Sequence, residues 1–318
     1  AMLNQTEVRE FLLLGLTDIQ GLQHFFFISF LLLYSATLVG NGVIVTVVMS
    51  EPQLHTPMYF FLGNLSCLDI FFSTVTVPKM LTGFLFGHQL ISFGGCLAQL
   101  HFFHLLGSTE VVLLAGMAYD RYVAICHPLH YALVMSPWTC LLLAVASWAT
   151  GFVHAMVHSI MTSRLSFCHR HIHHFFSPTS DLHHFFCDIK PLLDLACSST
   201  SLNMMLLNVV TSSLILGPFI LIVLSYLHII SFLFYKVQSQ EGRWKLFSTC
   251  ASHLIVVALL YIPALFNYAL PPSRNSMQRD VQVTLLYSAI TPALNPLIYT
   301  LRNREVKTAL KKTLGRKL

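Results

Sequence analysis

Charge is what this chain has least of. Only 10% of its 318 residues are Asp, Glu, Lys or Arg, while 55% are hydrophobic; an ordinary soluble domain carries about 25% charge. A soluble globule of this length must cover itself with charge, and this chain lacks the means. The shortage excludes a soluble enzyme, a nucleic-acid-binding domain and a disordered chain. It leaves a protein whose solvent is largely lipid. The scarcity is also uneven. No charged residue lies between Asp18 and Glu51, Lys79 and Glu110, Arg121 and Arg164, Asp194 and Lys236, Lys245 and Arg274, or Asp280 and Arg302. A helix crosses the hydrocarbon core with about 20 apolar residues, so each window holds at least one span. A seventh runs from Pro57 to Leu85, interrupted by Asp69 and Lys79. The runs are continuously apolar rather than alternating, which argues for helices and against a barrel.

The expected architecture is an all-α membrane protein. Residues 1–318 form a single domain, a seven-transmembrane helix bundle with a short amphipathic C-terminal helix. Helix 1 is expected over 24–48, helix 2 over 57–81, helix 3 over 96–126, helix 4 over 139–160, helix 5 over 202–235, helix 6 over 245–270 and helix 7 over 281–301. The longest polar stretch, 161–201, links helices 4 and 5. After helix 7, Val306, Ala309, Leu310 and Leu314 recur at helical spacing among basic residues, the pattern of a helix lying on a membrane surface.

The chain also lacks a basic n-region with a cleavage site, so no removable signal peptide is expected. Met2 reads as a natural start and Ala1 as an added residue. With segment 1–23 outside the cell, seven spans put the 302–318 tail in the cytoplasm. The inner side then carries Arg121, Lys236, Arg243, Lys245 and the seven basic residues of the tail, for a net +7 against 0 outside. That is the bias the positive-inside rule requires. It places Asn4, in the sequon Asn4-Gln5-Thr6, where it can be glycosylated; the expected location is the plasma membrane.

Four of the eight cysteines fall on the outer side: Cys96 at the end of helix 3, and Cys168, Cys187 and Cys197 in the long loop. In an oxidising compartment they can form two disulfides in any of three connectivities, and spacing does not choose among them. Two acids, Asp69 and Glu110, sit inside spans. A carboxylate at that depth costs several kcal/mol unless it is neutralised, paired or hydrated, which makes it a functional candidate by default. With Asn41 and Asn295 they suggest one hydrated interior cluster, and a cation between two carboxylates solves the charge problem.

A ligand face follows from helical spacing. His104, Gly107, Ser108 and Val111 fall on one side of helix 3, beside Phe103; Tyr261, Leu265 and Tyr268 do so on helix 6; Asn208 and Thr211 offer polar groups on helix 5. Apolar walls with a few hydroxyls suit a small, volatile, mostly apolar molecule. The bland alternative for each residue is helix–helix packing. The outer loop also carries His169, His171, His173, His174, His183 and His184. Imidazoles at that density can bind zinc or copper, but a solvated loop is the favoured reading because spacing in a loop fixes no geometry.

The tripeptide Asp120-Arg121-Tyr122 gains weight from its frame, Met117-Ala118-Tyr119-Asp120-Arg121-Tyr122-Val123-Ala124-Ile125-Cys126-His127-Pro128-Leu129. This run closely resembles the signature of olfactory receptors, rhodopsin-like G-protein-coupled receptors, and the likeness extends over nearly the whole chain. Gly40-Asn41, Pro57-Met58-Tyr59-Phe60-Phe61-Leu62, Leu65-Ser66 with Asp69, Ser147-Trp148, Ser225-Tyr226, the run from Lys245 to Leu254, and Pro292-Ala293-Leu294-Asn295-Pro296-Leu297-Ile298-Tyr299 all match in order. The loop and helix 6 motifs are similar to the tetrapod-type, class II branch. There are two departures. The Cys168–Cys187 interval reads as a His-rich insertion, and helix 6 carries Leu260-Tyr261-Ile262 where the family commonly has Phe-Tyr-Gly.

The resemblance implies disulfides Cys96–Cys187 and Cys168–Cys197. It implies an interior sodium site at Asp69 and Glu110, with no other cofactor required. Asp120, Arg121, Tyr226, Asn295 and Tyr299 become switch residues, and the implied partners are a volatile odorant, membrane lipid and a stimulatory olfactory-type heterotrimeric G protein that raises cyclic AMP. A non-olfactory chemosensory receptor of the same fold is the alternative. A channel or transporter fits less well because no two-half repeat is evident. A membrane metalloenzyme lacks matching His clusters on other segments, and no Ser-His-Asp or Cys-His arrangement points to an enzyme.

Overall fold

The computed structural model describes residues 10–13, 19–87, 89–167, 179–182, 184–268, 276–302, 306–309 and 312. Seven helices are long and apolar enough to cross a membrane. Helix 1 is Gln20–Ser50, helix 2 Pro57–Phe86, helix 3 Phe93–Cys126 and helix 4 Pro137–Ser163. Helix 5 is Ser201–Lys236, helix 6 Gln240–Tyr268 and helix 7 spans 276–302. Most ends run a few residues past the expected bounds, since caps rather than hydropathy set them; helix 2 starts and helix 3 ends where expected, and of helix 6 residues 269–270 lie outside the described residues. Ser92 Oγ accepts from Gly95 N at 3.1 Å and opens helix 3; Ser136 Oγ accepts from Thr139 N at 3.2 Å and opens helix 4, with Pro137 next. Helix 2 ends at Gly87, whose φ of +78° a side chain would resist.

The outward faces are apolar. Phe25, Leu32, Val39, Phe71, Val153 and Leu221 are exposed large hydrophobics, as lipid-facing positions must be. Hydroxyls on these faces bond back one turn: Ser29 Oγ to Phe25 O, Ser35 Oγ to Leu31 O and Thr46 Oγ1 to Gly42 O, each at 2.8 Å. Helix 3 lies at the centre, against helices 2, 4, 5 and 6. Helix 4 approaches it closely at Gly151, where a Cβ would meet Thr109 Oγ1 at 2.2 Å and the Leu105 carbonyl at 2.5 Å. Small residues are what let membrane helices pack by surface contact.

Helices 5 and 7 each contain a π turn, Leu207–Thr211 and Leu286–Ile290. Each inserts a wide turn and rotates the chain relative to an ideal helix. Neither was visible as a sequence pattern.

The Cys96 end of the bundle is covered by an element the sequence reading did not contain. Strand β1 (Glu10–Leu13) pairs antiparallel with β2 (Gln89–Ser92) and parallel with β3 (Thr179–Leu182). The first segment and the long loop are therefore stitched together. A second hydrophobic core lies beneath, including Phe11, Leu13, Leu100, Leu182, Ile189 and Leu192. Phe11 is fully buried, edge-on to Phe167 with ring centroids 5.3 Å apart. At the Arg121 end, Val306 and Ala309 of the tail helix are buried, and Lys312 Nζ meets Glu51 Oε2 at 2.7 Å. Leu310 and Leu314 lie outside the described residues.

Candidate functional site

Near the Cys96 end, the bundle encloses a cavity of about 50 Å³, several times what one water requires. Helix 3 contributes Phe103, His104, Gly107, Ser108 and Val111, and helix 5 contributes Thr211, Leu214 and Ile215. Leu260, Ala264 and Tyr268 come from helix 6, with Phe72, His154 and Tyr287 from helices 2, 4 and 7. Seven residues expected from sequence thus meet here: Phe103, His104, Gly107, Ser108, Val111, Thr211 and Tyr268.

Three others do not line the cavity. Asn208 is exposed on the outer face of the bundle, because the π turn of helix 5 removes it from the face that carries Thr211. Tyr261 is fully buried, but its hydroxyl donates to the Val111 carbonyl at 2.8 Å and so joins helix 6 to helix 3. Leu265 packs half-buried against the core. The face of helix 6 that meets the cavity is set by Leu260 and Ala264, one residue earlier than spacing from Tyr261 implied.

One run of the polar lining passes from helix 3 through helix 4 to helix 5. Ser108 Oγ is 2.8 Å from His154 Nδ1, and His154 Nε2 is 3.0 Å from Thr211 Oγ1. Behind it, His158 Nε2 lies 3.1 Å from the same hydroxyl. His154 and His158 were not identified from sequence. The signal was available: two histidines four residues apart in a charge-free span fall under the same default as Asp69 and Glu110.

A loop residue closes the site. Asp188 Oδ1 accepts from His104 Nε2 at 3.2 Å and from the Ile189 backbone N–H at 2.7 Å, and Tyr268 donates to Asp188 Oδ2 at 3.4 Å. Burial pushes the Asp188 carboxyl up, but the His104 hydrogen bond, the neighbouring His104 and His184 imidazoles and the Ile189 N–H outweigh it. The group ends below the ordinary carboxylate value. Beside it Lys190 donates to Asn267 Oδ1 at 3.2 Å and reaches Asp280 Oδ2 at 3.4 Å, tying the loop to helices 6 and 7. The Cys96–Cys187 disulfide, with a Cα separation of 5.3 Å, anchors the same segment on helix 3. Gln99 supports it by accepting from Cys187 N at 2.9 Å. Cys197 is disulfide-bonded; its expected partner Cys168 lies outside the described residues, as do Asn4, His169, His171, His173, His174 and His183. His184 is described, and it corrects the solvated-loop reading at that position. It is 3% exposed, against Phe185 and Phe186. Burial lowers its imidazole to about 4, only partly opposed by Asp188. Among the described residues, no group of three His, Cys, Asp or Glu side chains is disposed to hold a metal ion.

Deeper in the bundle lie the interior acids. Asn295 Nδ2 donates to both Asp69 oxygens, at 3.1 and 3.0 Å. Asn41 turns elsewhere, donating to Thr37 O at 3.1 Å and Pro292 O at 3.0 Å, and so fastens helix 1 to helix 7 rather than joining the acids. Glu110 Oε1, Ser288 Oγ, Asn295 Oδ1 and Tyr299 OH are buried with no hydrogen-bond partner among the described residues. Two carboxylates with unpartnered neutral oxygens match the donor set of a hard cation.

At the far end, Arg121 Nε donates to Asp120 Oδ2 at 2.9 Å, and Tyr131 donates to Asp120 Oδ1 at 2.7 Å. Burial, then the Asp120 contact, raises the Tyr131 phenol far above its ordinary value, so it stays a donor. Tyr226 OH is 2.7 Å from His253 Nδ1, and His253 Nε2 is 3.1 Å from the Leu114 carbonyl. A carbonyl only accepts, so His253 donates through Nε2 and accepts a hydrogen bond from the Tyr226 O–H at Nδ1. Helices 3, 5 and 6 are thereby held together at the Arg121 end.

Comparison with known proteins agrees with this geometry. A family model described as olfactory receptor matches residues 30–317. Olfactory receptor 12D1 of Homo sapiens is 55% identical, covering 99% of this chain and 96% of its own length. Olfactory receptor 12D3 of Homo sapiens is 55% identical, covering 100% and 98%. Olfactory receptor 1f45 of Rattus norvegicus is 45% identical over 98% of this chain and 96% of its own.

Proposed function

The chain belongs to the olfactory receptor family of G-protein-coupled receptors, multi-pass membrane proteins and not enzymes, and we propose that it takes a small volatile, mostly apolar molecule into the cavity between helices 3, 5, 6 and 7. The Cys96 end faces outside the cell and the Arg121 end faces the cytoplasm. Ligand binding favours a state in which the Arg121 end opens to a stimulatory olfactory-type G protein and cyclic AMP rises. The observation that carries this reading is the separation of two devices on one helix. Helix 3 lines an apolar-walled cavity at one end and carries the Asp120–Arg121–Tyr131 contact at the other.

A ligand shifts such an equilibrium only by its differential affinity for the two states. Burial at about 25 cal/mol per Å² gives a molecule of this size modest, micromolar affinity. One hydrogen bond then weighs heavily in selectivity, since an unpaired buried partner costs about 1–3 kcal/mol. A sodium ion held by Asp69 and Glu110, with Ser288 and Asn295 oxygens in reach, supplies charge neutralisation in the closed state. Its release accompanies opening. The test is cyclic AMP in cells expressing the receptor and its G protein, read against a broad volatile panel. Some volatiles raise cyclic AMP in the parent chain, and Arg121→Ala abolishes the response at equal surface level. Silence toward every volatile with normal surface expression contradicts the reading.

A further inference from the structure

The polar groups of the cavity differ in what fixes their protons. His104 faces the Asp188 carboxylate, which only accepts, so the His104 hydrogen is pinned on Nε2. Among the described residues, no carboxylate or carbonyl accepts a hydrogen bond from the side chains of Ser108, His154, Thr211 and His158. They form a chain of hydroxyl, imidazole, hydroxyl and imidazole with links of 2.8, 3.0 and 3.1 Å. Every link is a donor–acceptor pair in which either side can donate.

We propose that this chain is a reversible hydrogen-bond relay whose direction is set by the ligand, so that the cavity accepts small alcohols and small carbonyl compounds of the same carbon skeleton. The inference rests on the odorant reading of this cavity and deepens it. In one direction Ser108 donates to His154 Nδ1, His154 Nε2–H donates to Thr211, and the Thr211 hydroxyl donates to His158 Nε2. The Ser108 hydrogen is then occupied, and its oxygen offers lone pairs to a ligand O–H. In the other direction His154 carries its hydrogen on Nδ1 and donates to Ser108. Thr211 donates to His154 Nε2, and His158 Nε2–H donates to Thr211. The Ser108 hydroxyl is now free to donate to a ligand carbonyl. Both imidazoles stay neutral throughout. In each ring one nitrogen gives up a proton as the other gains one, with water as carrier, and the proton count is unchanged.

Thr211 is the hinge of the relay and hence a specificity-determining residue. In Thr211→Val the His154 Nε2 faces a methyl group. A buried N–H without a partner is rarer than an unfilled acceptor, so His154 places its hydrogen on Nδ1 and fixes Ser108 as a donor to the ligand. The experiment pairs cyclohexanol with cyclohexanone. Cyclic AMP potency in the parent chain is expected to be similar for both. Thr211→Val raises the ketone-to-alcohol potency ratio at least about tenfold, and Thr211→Ser restores it. An unchanged ratio in Thr211→Val at normal surface level overturns the proposal. A second measurement needs no cyclic AMP response. ¹⁵N spectra of histidine-labelled receptor, with the His154 signals assigned by their loss in His154→Gln, are expected to show averaged tautomers in the free parent chain. The hydrogen moves to Nε2 with the alcohol and to Nδ1 with the ketone. A single unchanging tautomer in all three samples overturns the relay. Averaged tautomers in a receptor that neither probe activates or shifts would uphold the relay and instead defeat the odorant reading of the cavity.

Discussion

Two polar regions lie along helix 3, and they are built on opposite principles. Around the cavity, Asp188 takes bonds from His104, Tyr268 and Ile189, while Ser108, His154, Thr211 and His158 form one connected chain. In mid-bundle, Asp69 is bonded by Asn295, yet Glu110, Ser288, Asn295 and Tyr299 each keep a buried atom with no partner among the described residues. A connected network holds a shape, because removing any member strands the others. A region of stranded atoms holds capacity instead, since it gains from an ion, a water or a rearrangement. The first suits a recognition site and the second a switch.

That contrast can be broken by substitution. The largest effect is expected for Asp188→Ala, which strands His104, Tyr268 and the Ile189 N–H at once. It should cost about 3 kcal/mol, seen as loss of surface receptor and a lower melting temperature in detergent. A melting temperature equal to the parent's means the cavity network is not structural.

Next is pH. His184 is held neutral in the folded chain, with its imidazole lowered to about 4 from an ordinary 6.5. Between those values the unfolded chain binds the extra proton and the folded chain does not. Stability therefore is complete above about 6.5 and falls as pH drops toward 4. Asp188, lowered rather than raised, stays ionised in the folded chain and adds to the slope only at the bottom of this window, where the unfolded carboxyl begins to bind a proton. Melting temperature measured across the window should fall less steeply in His184→Gln than in the parent, and identical slopes refute the assignment.

The smallest effect sharpens the other half of the comparison. Ser288→Ala removes a hydroxyl with no hydrogen-bond partner among the described residues, so stability should change by less than about 0.5 kcal/mol. The stabilisation by sodium chloride over choline chloride should nevertheless shrink. A Ser288→Ala loss as large as that of Asp188→Ala erases the distinction between the two regions.

What was legible in the sequence follows the same line. The seven spans were readable because lipid imposes long charge-free runs, and the structure places a helix in every one. Asp69, Glu110, Ser108 and Thr211 were readable as polar groups where polarity is costly. Asn208 was misplaced because a π turn leaves no pattern in the residues, and Tyr261 and Leu265 because a cavity face depends on how helix 6 is rotated against helix 3. Strand β1 was invisible, since Glu10–Leu13 pairs only with partners brought to it by the fold. His154 and His158 are legible too, as two imidazoles four residues apart in a charge-free span.

The central claim is that occupying the cavity near Cys96 opens the Arg121 end. Spin labels at Leu133→Cys and Trp244→Cys, both exposed there, in a chain whose cysteines outside the disulfides, Cys67, Cys126, Cys140 and Cys250, are replaced, report it by pulsed electron resonance. With a volatile that raises cyclic AMP and with G protein present, the distance distribution should move to longer separations, and Ser108→Ala should abolish the movement. A distribution that is unchanged by a saturating, active volatile would contradict the account.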